Sequence, residues 1–318
     1  MQGSRKHRST MDVLFKKTLS FDLCRQQRTN MALFDNDAGS CYDRILGNLA
    51  MLCARRLGVP SEAVFVHSET LRLMKYTVKT DYGTSAGHYS STATEPLAGT
   101  GQGSGASPAV WLSICAALLL AYKTHVPKGI TFSDPTETMI SSRRYADAFV
   151  DDTSIGFNDP NNLMNVPSLI RTLTECAQLC WENLFFSTGG ALELSKCYYH
   201  HIFHWQWDVL GYPKITTLNP HLTDPGEYSS STDTFNSLKL ISGRETHYTK
   251  IHHKAPHISS KSLGVISCPL GTWDDEFRRL ATKSNIHATT TTMSNQVRNM
   301  DAHQAHRTIW ASQMGYSL

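Results

Sequence analysis

The stretch Met31-Ala32-Leu33-Phe34-Asp35-Asn36-Asp37 decides how the chain folds. Four apolar residues running into two acids read as a buried strand that delivers carboxylates to a sheet edge. The segment Ala146-Asp147-Ala148-Phe149-Val150-Asp151-Asp152 repeats the theme, with apolar residues interrupted by acids and ending in an adjacent pair. An ionised carboxylate is expensive to bury without a partner. Neighbouring acids also repel, and one takes up a proton unless a cation neutralises them. A divalent metal resolves both problems, and Mg²⁺ in particular prefers oxygen ligands and keeps waters that a phosphate-bearing substrate can replace. Taken alone, however, an Asp-Asp pair reads more readily as a surface turn or a helix cap.

Outward from these segments the pattern is mixed. Residues 45–57 place Ile45, Leu49, Leu52 and Ala54 at apolar positions of a helix that Gly58-Val59-Pro60 stops, and a second helix begins near Ser61. Residues 74–79 alternate like a strand and run into the turn residues Asp81-Tyr82-Gly83. Residues 84–107 are rich in Ser, Thr and Gly, and Pro108 then opens a long apolar helix. The spacing over 166–186 predicts another helix, with Leu169, Leu173, Cys176 and Cys180 on one face and Gly189-Gly190 ending it. Strand-like residues 198–207, a polar insertion over 208–250, a last strand around Leu263-Gly264-Val265 and a mildly basic helical tail complete the chain. Strands and helices intermix without strict alternation, which predicts an α+β fold with a sheet layered on helices. No repeat with a period of about 20 to 50 residues is present, which excludes solenoids and propellers.

Composition narrows the class. With 318 residues, 40% hydrophobic and 18% charged, the chain can bury a sizeable core and is not disordered throughout. The apolar run 108–122 falls short of the roughly 18–20 residues a membrane span needs and reads as a buried helix. The basic start has no apolar block followed by a small-residue cleavage site. Eight cysteines without a CxxC pair or regular framework suit a reduced chain, so an intracellular location, nuclear or cytoplasmic rather than secreted, is expected. The net charge of +3 is unevenly spread. Residues 1–30 carry Arg5, Lys6, Arg8, Lys16, Lys17, Arg25 and Arg28 against Asp12 and Asp22, leaving the remaining residues slightly acidic. A basic leading arm can serve a polyanion, and a solvated, frayed terminus has the same composition.

Five short motifs follow in order. Asp37 to Asp43 has the form D-x-x-x-[AC]-[FY]-D, with Tyr42 as its aromatic. Residues 99–108 read G-x-x-Q-G-x-x-x-S-P, containing Gln102, Gly103, Ser107 and Pro108. Phe149-Val150-Asp151-Asp152 is an aromatic-x-D-D box, Leu192 to Lys196 follows Gly189-Gly190, and Lys261 to Val265 contains Leu263-Gly264. In this order they resemble the palm motifs of reverse transcriptases, most like those of non-LTR retroelements, over residues 31–265. The family's palm is a small antiparallel sheet backed by helices. The resemblance implies a basic N-terminal arm over 1–30 as a remnant of the fingers, the palm over 31–265, and a thumb-like tail over 266–318. Only 36 residues precede Asp37, so the chain is expected to be a fragment lacking most of the fingers.

By the same resemblance Asp37 and Asp151 match the carboxylates that hold two Mg²⁺ ions, for which Mn²⁺ can substitute, and Asp152 is a supporting acid. Asp35 is the rival for the first position, but only the register of Asp37 places an aromatic five residues on and an acid six residues on. Lys196 matches a lysine near the nucleotide phosphates; as a residue alone it is a surface lysine at a strand edge. Gln102 and Gly103 match residues at the nascent pair and nucleotide, and Leu263 and Gly264 the turn that grips the primer. Ser107 and Pro108 read as a helix N-cap and first-turn proline. Gly99-Thr100-Gly101 lacks both the upstream strand of a dinucleotide loop and the Gly-Lys-Ser/Thr of a P-loop. The histidines at 200, 201, 204, 252, 253 and 257 read as structural or solvent-facing ahead of zinc ligands, and Cys176 and Cys180 as core.

The implied activity is RNA-directed DNA polymerisation, with an RNA template, a DNA primer and dNTPs as partners and no membrane. The alternatives are a non-catalytic nucleic-acid-binding remnant of such a polymerase, or another palm-shaped nucleotidyl enzyme. Tyr42 matches the residue packed under the incoming sugar, where a rigid ring collides with a 2′-hydroxyl; its plainer reading is a core tyrosine. Tyr42→Ala is therefore expected to raise ribonucleotide over deoxyribonucleotide incorporation in primer extension, and an unchanged sugar preference would sink that assignment.

Overall fold

The structure is a computed structural model and describes residues 9–92, 97–101, 104–126, 128–133, 141–202, 237–243 and 245–293. The fold is α+β. Its centre is β1 (Asn30–Asp37), whose residues are buried from Asn30 to Asn36. Such a continuous buried run requires cover on both faces of a sheet, and two helical layers supply it. A hairpin strand pair, β2 (Ile130–Ser133) and β3 (Ser141–Arg144), precedes the remaining sheet strands β4 (Ala146–Phe149), β5 (Asp152–Asp159), β6 (Tyr198–Ile202) and β7 (His252–His253). The five-stranded sheet runs β7-β6-β1-β5-β4. All its pairs are antiparallel except β6 with β7, so the sheet is mixed, not purely antiparallel. The parallel edge comes from a segment lying well beyond β6 in the chain, a pairing that local sequence cannot announce.

Alternation along β1 sorts the two cores. Ala32 and Phe34 pack with α3 (Gly47–Arg56), α5 (Ser107–His125) and α6 (Val166–Gln178), through Met51, Ile114, Leu118 and Leu173 among others. A short α2 (Cys41–Arg44) precedes α3, and α4 (Ser61–Leu73) follows it with no buried residue. Beyond Gln178, α6 continues as a π-helix to Phe185. Leu169, Leu173, Cys176 and Cys180 are all buried, as their spacing predicts. Met31 and Leu33 face the opposite way, against Phe21 and Cys24 of α1 (Thr10–Gln27) and against Ile202, Cys268 and Leu270.

Several local expectations are corrected. Leu52 is exposed, and the buried stripe of α3 is Ala50, Met51 and Ala54; residues 52 and 54, two apart, cannot share a helix face. Residues 74–79 form no single strand; Lys75–Tyr76 and Lys79–Thr80 belong to separate two-residue ladders. Leu263 and Gly264 are not strand residues. They turn the hairpin of β8 (Ser260–Ser262) and β9 (Val265–Ser267), with φ of 51° and 88°, the left-handed pair that a tight hairpin turn demands. Ser107 is not the N-cap of α5, which is Ala106; its hydroxyl instead donates back to the carbonyls of Thr100 and Gly101. By length and composition α5 could cross a membrane, yet here Val110, Trp111, Ile114, Leu118 and Tyr122 are buried in the core. Of the expected strand over 198–207, residues 203–207 lie outside the described residues, as does most of the polar insertion. The C-terminal helix, α7 (Asp274–Met293), is tied to the hairpin by Glu276, which accepts from the Ile266 N–H at 2.8 Å.

The N-terminal basic segment is where the sequence and the structure differ most. From Thr10 onward it is a helix laid on the sheet, and its buried face includes Lys17 and Ser20 beside Val13, Leu14, Phe21 and Cys24. That polar content breaks the apolar period, so the helix is invisible to a periodicity search. Lys17 Nζ meets Asp35 Oδ2 at 2.8 Å, with both side chains under 10% exposed (2% and 9%), and Ser154 donates to the other carboxylate oxygen. Arg25 donates to the Leu270 carbonyl at 2.6 Å and pairs with Asp22. Two of the basic charges near the start therefore serve internal contacts.

Burial works against both charges of the Lys17–Asp35 pair, but each partner outweighs it: Asp35 is held below the usual carboxylate range and Lys17 is pushed up. The pair thus stabilises the fold at neutral pH, and its contribution fades as acid protonates Asp35 below its ordinary pKa. Lys17→Met strands a buried carboxylate and is expected to cost about 3–5 kcal/mol at pH 7. Urea denaturation should show that loss shrinking towards pH 3; a difference that ignores pH would rule out the ion pair as its source.

Candidate active site

The register at the end of β1 sets the acids side by side. Asp37 lies directly across from Asp152, and Asp35 from Ser154. Cross-strand partners point to the same face, so Asp35, Asp37 and Asp152 share one side of the sheet. Asp151 occupies the two-residue reversal between β4 and β5, next to Val150, whose φ is 54°. Trp111 Nε1 donates to the Val150 carbonyl, and the Ala38 N–H donates to the Asp151 carbonyl at 3.3 Å. The chain after α6 then returns along the end of β1. Gly39 N donates to Ala191 O at 2.8 Å and Glu193 N to Asp37 O at 3.0 Å. A single 3₁₀ turn, Leu194–Lys196, carries Lys196 Nζ to within 2.6 Å of Asp37 Oδ2.

These residues line a cleft of about 190 Å³. Asp35, Asp37, Asp152, Lys196, Lys261 and Leu263 are among its walls. Four residues singled out from sequence (Asp37, Asp152, Lys196 and Leu263) thus meet in one cavity, although they come from four separate chain segments. Gly264 is beside Leu263 in the same hairpin turn. Asp151 does not line this cleft; the charges of Asp37 and Lys196 act on it, and its own charge acts on Lys196 and Tyr42. Tyr42, in α2, is partly buried and meets the Trp111 ring edge-on at 6.5 Å between centroids. The Gly99-Thr100-Gly101 segment is clipped to it, with Gly99 N on Ile45 O and Thr100 N on Tyr42 O, each at 2.8 Å. Gly99 is required there: φ is 93°, and a Cβ would meet the Asp43 backbone at 2.7 Å. Gln102 and Gly103 lie outside the described residues.

The electrostatics follow from crowding. Asp152 is pushed up to about 6, by burial first and then by the charges of Asp151, Asp37 and Asp35. Burial and Asp37 also raise Asp151, against a lowering influence from Lys196. The donors are hard oxygens on strand ends beside an exposed ammonium. Among the described residues no three His, Cys, Asp or Glu side chains form a closed metal cage. An open pair of carboxylates fits Mg²⁺, which is commonly held by one or two carboxylates plus substrate phosphates, and it does not fit tetrahedral zinc. Of the histidines described in strands, His200 and His201 are buried and His252 is exposed. His200 Nδ1 lies 2.9 Å from the Lys254 carbonyl, and burial holds its pKa down to about 3. His201 and His253 stack face to face at 4.5 Å, so their ring lone pairs do not converge.

Two participants were not singled out from sequence, Lys17 as the partner of Asp35 and Trp111 at the acid-bearing turn, and Lys261, which opens the fifth motif, was given no role but stands in the cleft wall. Lys17 carried only the signal of an over-basic N-terminus, and no spacing rule picks out Trp111. Neither a family model nor a curated protein matches the chain.

A raised acid pKa means that the fold binds that proton more tightly than the unfolded chain does. Asp152 therefore destabilises the fold as pH rises from its ordinary value towards about 6, and has no effect where it is neutral in both states. Asp152→Asn is expected to stabilise the protein at pH 8 by about 1 kcal/mol, a figure discounted for the partial exposure of the group. Thermal melts should show that gain vanishing below about pH 4, where an ordinary aspartate is already largely neutral. A gain that is constant with pH would mean the acids are not coupled.

Proposed function

We propose that the chain is an RNA-directed DNA polymerase of a retroelement, with the five-stranded sheet as its palm. The observation that carries this reading is the meeting of Asp37, Asp152 and Lys196 with the Leu263 hairpin turn in one cleft, with Asp151 in the adjoining reversal. On this reading residues 31–265 are the palm, 1–30 a remnant of the fingers and 266–318 a thumb-like tail.

The reaction is attack of a primer 3′-hydroxyl on the α-phosphorus of a dNTP, with pyrophosphate leaving in line. Asp37 and Asp151 would hold two Mg²⁺ ions, which supply hydroxyl activation and charge neutralisation at the phosphate when bound. The protein's own residues do the rest. Lys196 keeps its proton through its hydrogen bond and charge contact with Asp37, and its side chain is 66% exposed. It is placed to donate that proton to departing pyrophosphate or to screen its charge. Asp152 supports the acid pair from directly across β1. The Tyr42 ring, braced edge-on by Trp111, forms the floor on which the deoxyribose lies. The Leu263-Gly264 turn closes the cleft on the primer side.

Primer extension on an RNA template with Mg²⁺ tests the proposal. The full chain should add dNTPs, and Asp37→Asn and Asp151→Asn should each cut the rate by at least roughly a hundredfold, more than supporting residues around a metal typically cost. Template binding should persist in both variants and weaken with salt as counterions are released. Binding by the wild type without extension would instead favour the non-catalytic remnant.

A further inference from the structure

Trp111 is 4% exposed and sits one turn into α5. Its indole has two attachments of different kinds. The Nε1–H donates to the carbonyl of Val150, while the ring edge meets Tyr42 at 6.5 Å and Phe185 at 6.0 Å between centroids. Val150 is β-branched, and its φ of 54° is a conformation such residues rarely adopt. Strain of this kind persists only where surrounding structure over-determines it. Here the indole holds the carbonyl of Val150, and the Ala38 N–H holds that of Asp151. The peptide unit that joins the two residues is therefore tied to α5.

The start of α5 is itself anchored to the other motifs. Ser107 Oγ donates to the Thr100 carbonyl at 3.1 Å and to the Gly101 carbonyl at 2.9 Å. Thr100 N in turn donates to the Tyr42 carbonyl. Trp111 thus touches both the reversal that carries Asp151 and the Tyr42 ring, on which the charge of Asp151 acts.

We propose that Trp111 is a positioning residue that locks the left-handed kink at Val150, and with it the direction of the Asp151 carboxylate, while its ring edge sets the tilt of Tyr42. Phenylalanine would fill the same space but has no donor. Glycine at position 150 would adopt the kink without strain and would need no lock. The kinetic part of this inference rests on the polymerase reading, whereas the structural part does not.

The test is a double-mutant cycle on the full chain with Trp111→Phe, Val150→Gly and the combination. Trp111→Phe should lower Tm by about 2–5 °C, and by less than half as much when Val150 is already glycine. Additive shifts would overturn the lock, because a residue that only packs in the core does not depend on the backbone strain at position 150. Hydrogen exchange gives a second measure that needs no variant to fold: the Trp111 indole proton should exchange slowly, and rapid exchange would overturn the proposal. In primer extension Trp111→Phe should reduce kcat by about ten- to a hundredfold with KM nearly unchanged, and the second substitution should restore part of it. Trp111→Leu, which also removes the ring, should in addition admit ribonucleotides more readily. A kcat loss that merely tracks the folded fraction would overturn the positioning role. If the wild type extends no primer at all, the polymerase reading fails, while the stability cycle and the exchange rate still decide whether Trp111 holds the kink.

Discussion

Like-charge repulsion at one end of a sheet organises this protein. Asp35, Asp37, Asp151 and Asp152 are gathered by the pairing of β1 with β5 and by the reversal that precedes β5. A fold whose net stability is only a small difference between large terms does not accumulate such crowding by default. The structure treats the acids unequally. Asp35 is neutralised from within by Lys17 and Ser154. Asp151 and Asp152 are left raised, which means that the protein alone does not fully satisfy them. Local rules of stability are broken in this way mainly at functional sites, and on the proposed polymerase reading a divalent cation would relieve the crowding.

Both faces of the sheet are needed to keep that end in shape. On one side α1 brings Lys17 beneath the acids while Phe21 and Cys24 close a small core. On the other side the first turns of α5 collect segments distant in sequence. Ser107 holds the glycine-rich segment, that segment holds Tyr42, and Trp111 holds the acid-bearing reversal. The return of the chain after α6 adds Lys196 through backbone pairing with residues 37–39. No single element builds the cleft. Its geometry belongs to the long-range contacts.

That division explains what could be read from sequence. The buried strand that starts at Met31 and ends in acids, the buried face of α6 and the α+β class all rest on local apolar pattern, and each was legible. Asp37, Asp152, Lys196 and Leu263 could be nominated because short motifs carry them, and the fold brings them to one cavity. What could not be read is whether an acid has a partner. Asp35 and Asp37 look alike as sequence, and the lysine that separates them arrives from a helix 18 residues earlier. That helix escaped notice because its buried face is partly polar. The parallel edge strand, the outward Leu52 and the back-bonded Ser107 escaped for related reasons, since each depends on a neighbour supplied by tertiary structure.

The contrast between those two aspartates bears directly on function. Both are ion-paired to a lysine at short range, 2.8 Å for Asp35 and 2.6 Å for Asp37. In the first pair both partners are withdrawn from water, so separating them would strand two charges in a low-dielectric interior. In the second the lysine is 66% exposed and the carboxylate 15%, so solvent reaches the lysine and screens the pair. Parting Lys196 from Asp37 therefore returns the lysine to water, whereas parting Lys17 from Asp35 leaves both charges buried. Two acids on the same face of the same strand thus differ in setting: the pair of Asp35 is sealed in the interior, and that of Asp37 opens to solvent through its lysine. Burial of the partner, more than the position of the acid, separates the two, and on the proposed polymerase reading it is Asp37 that would be free to take a metal ion.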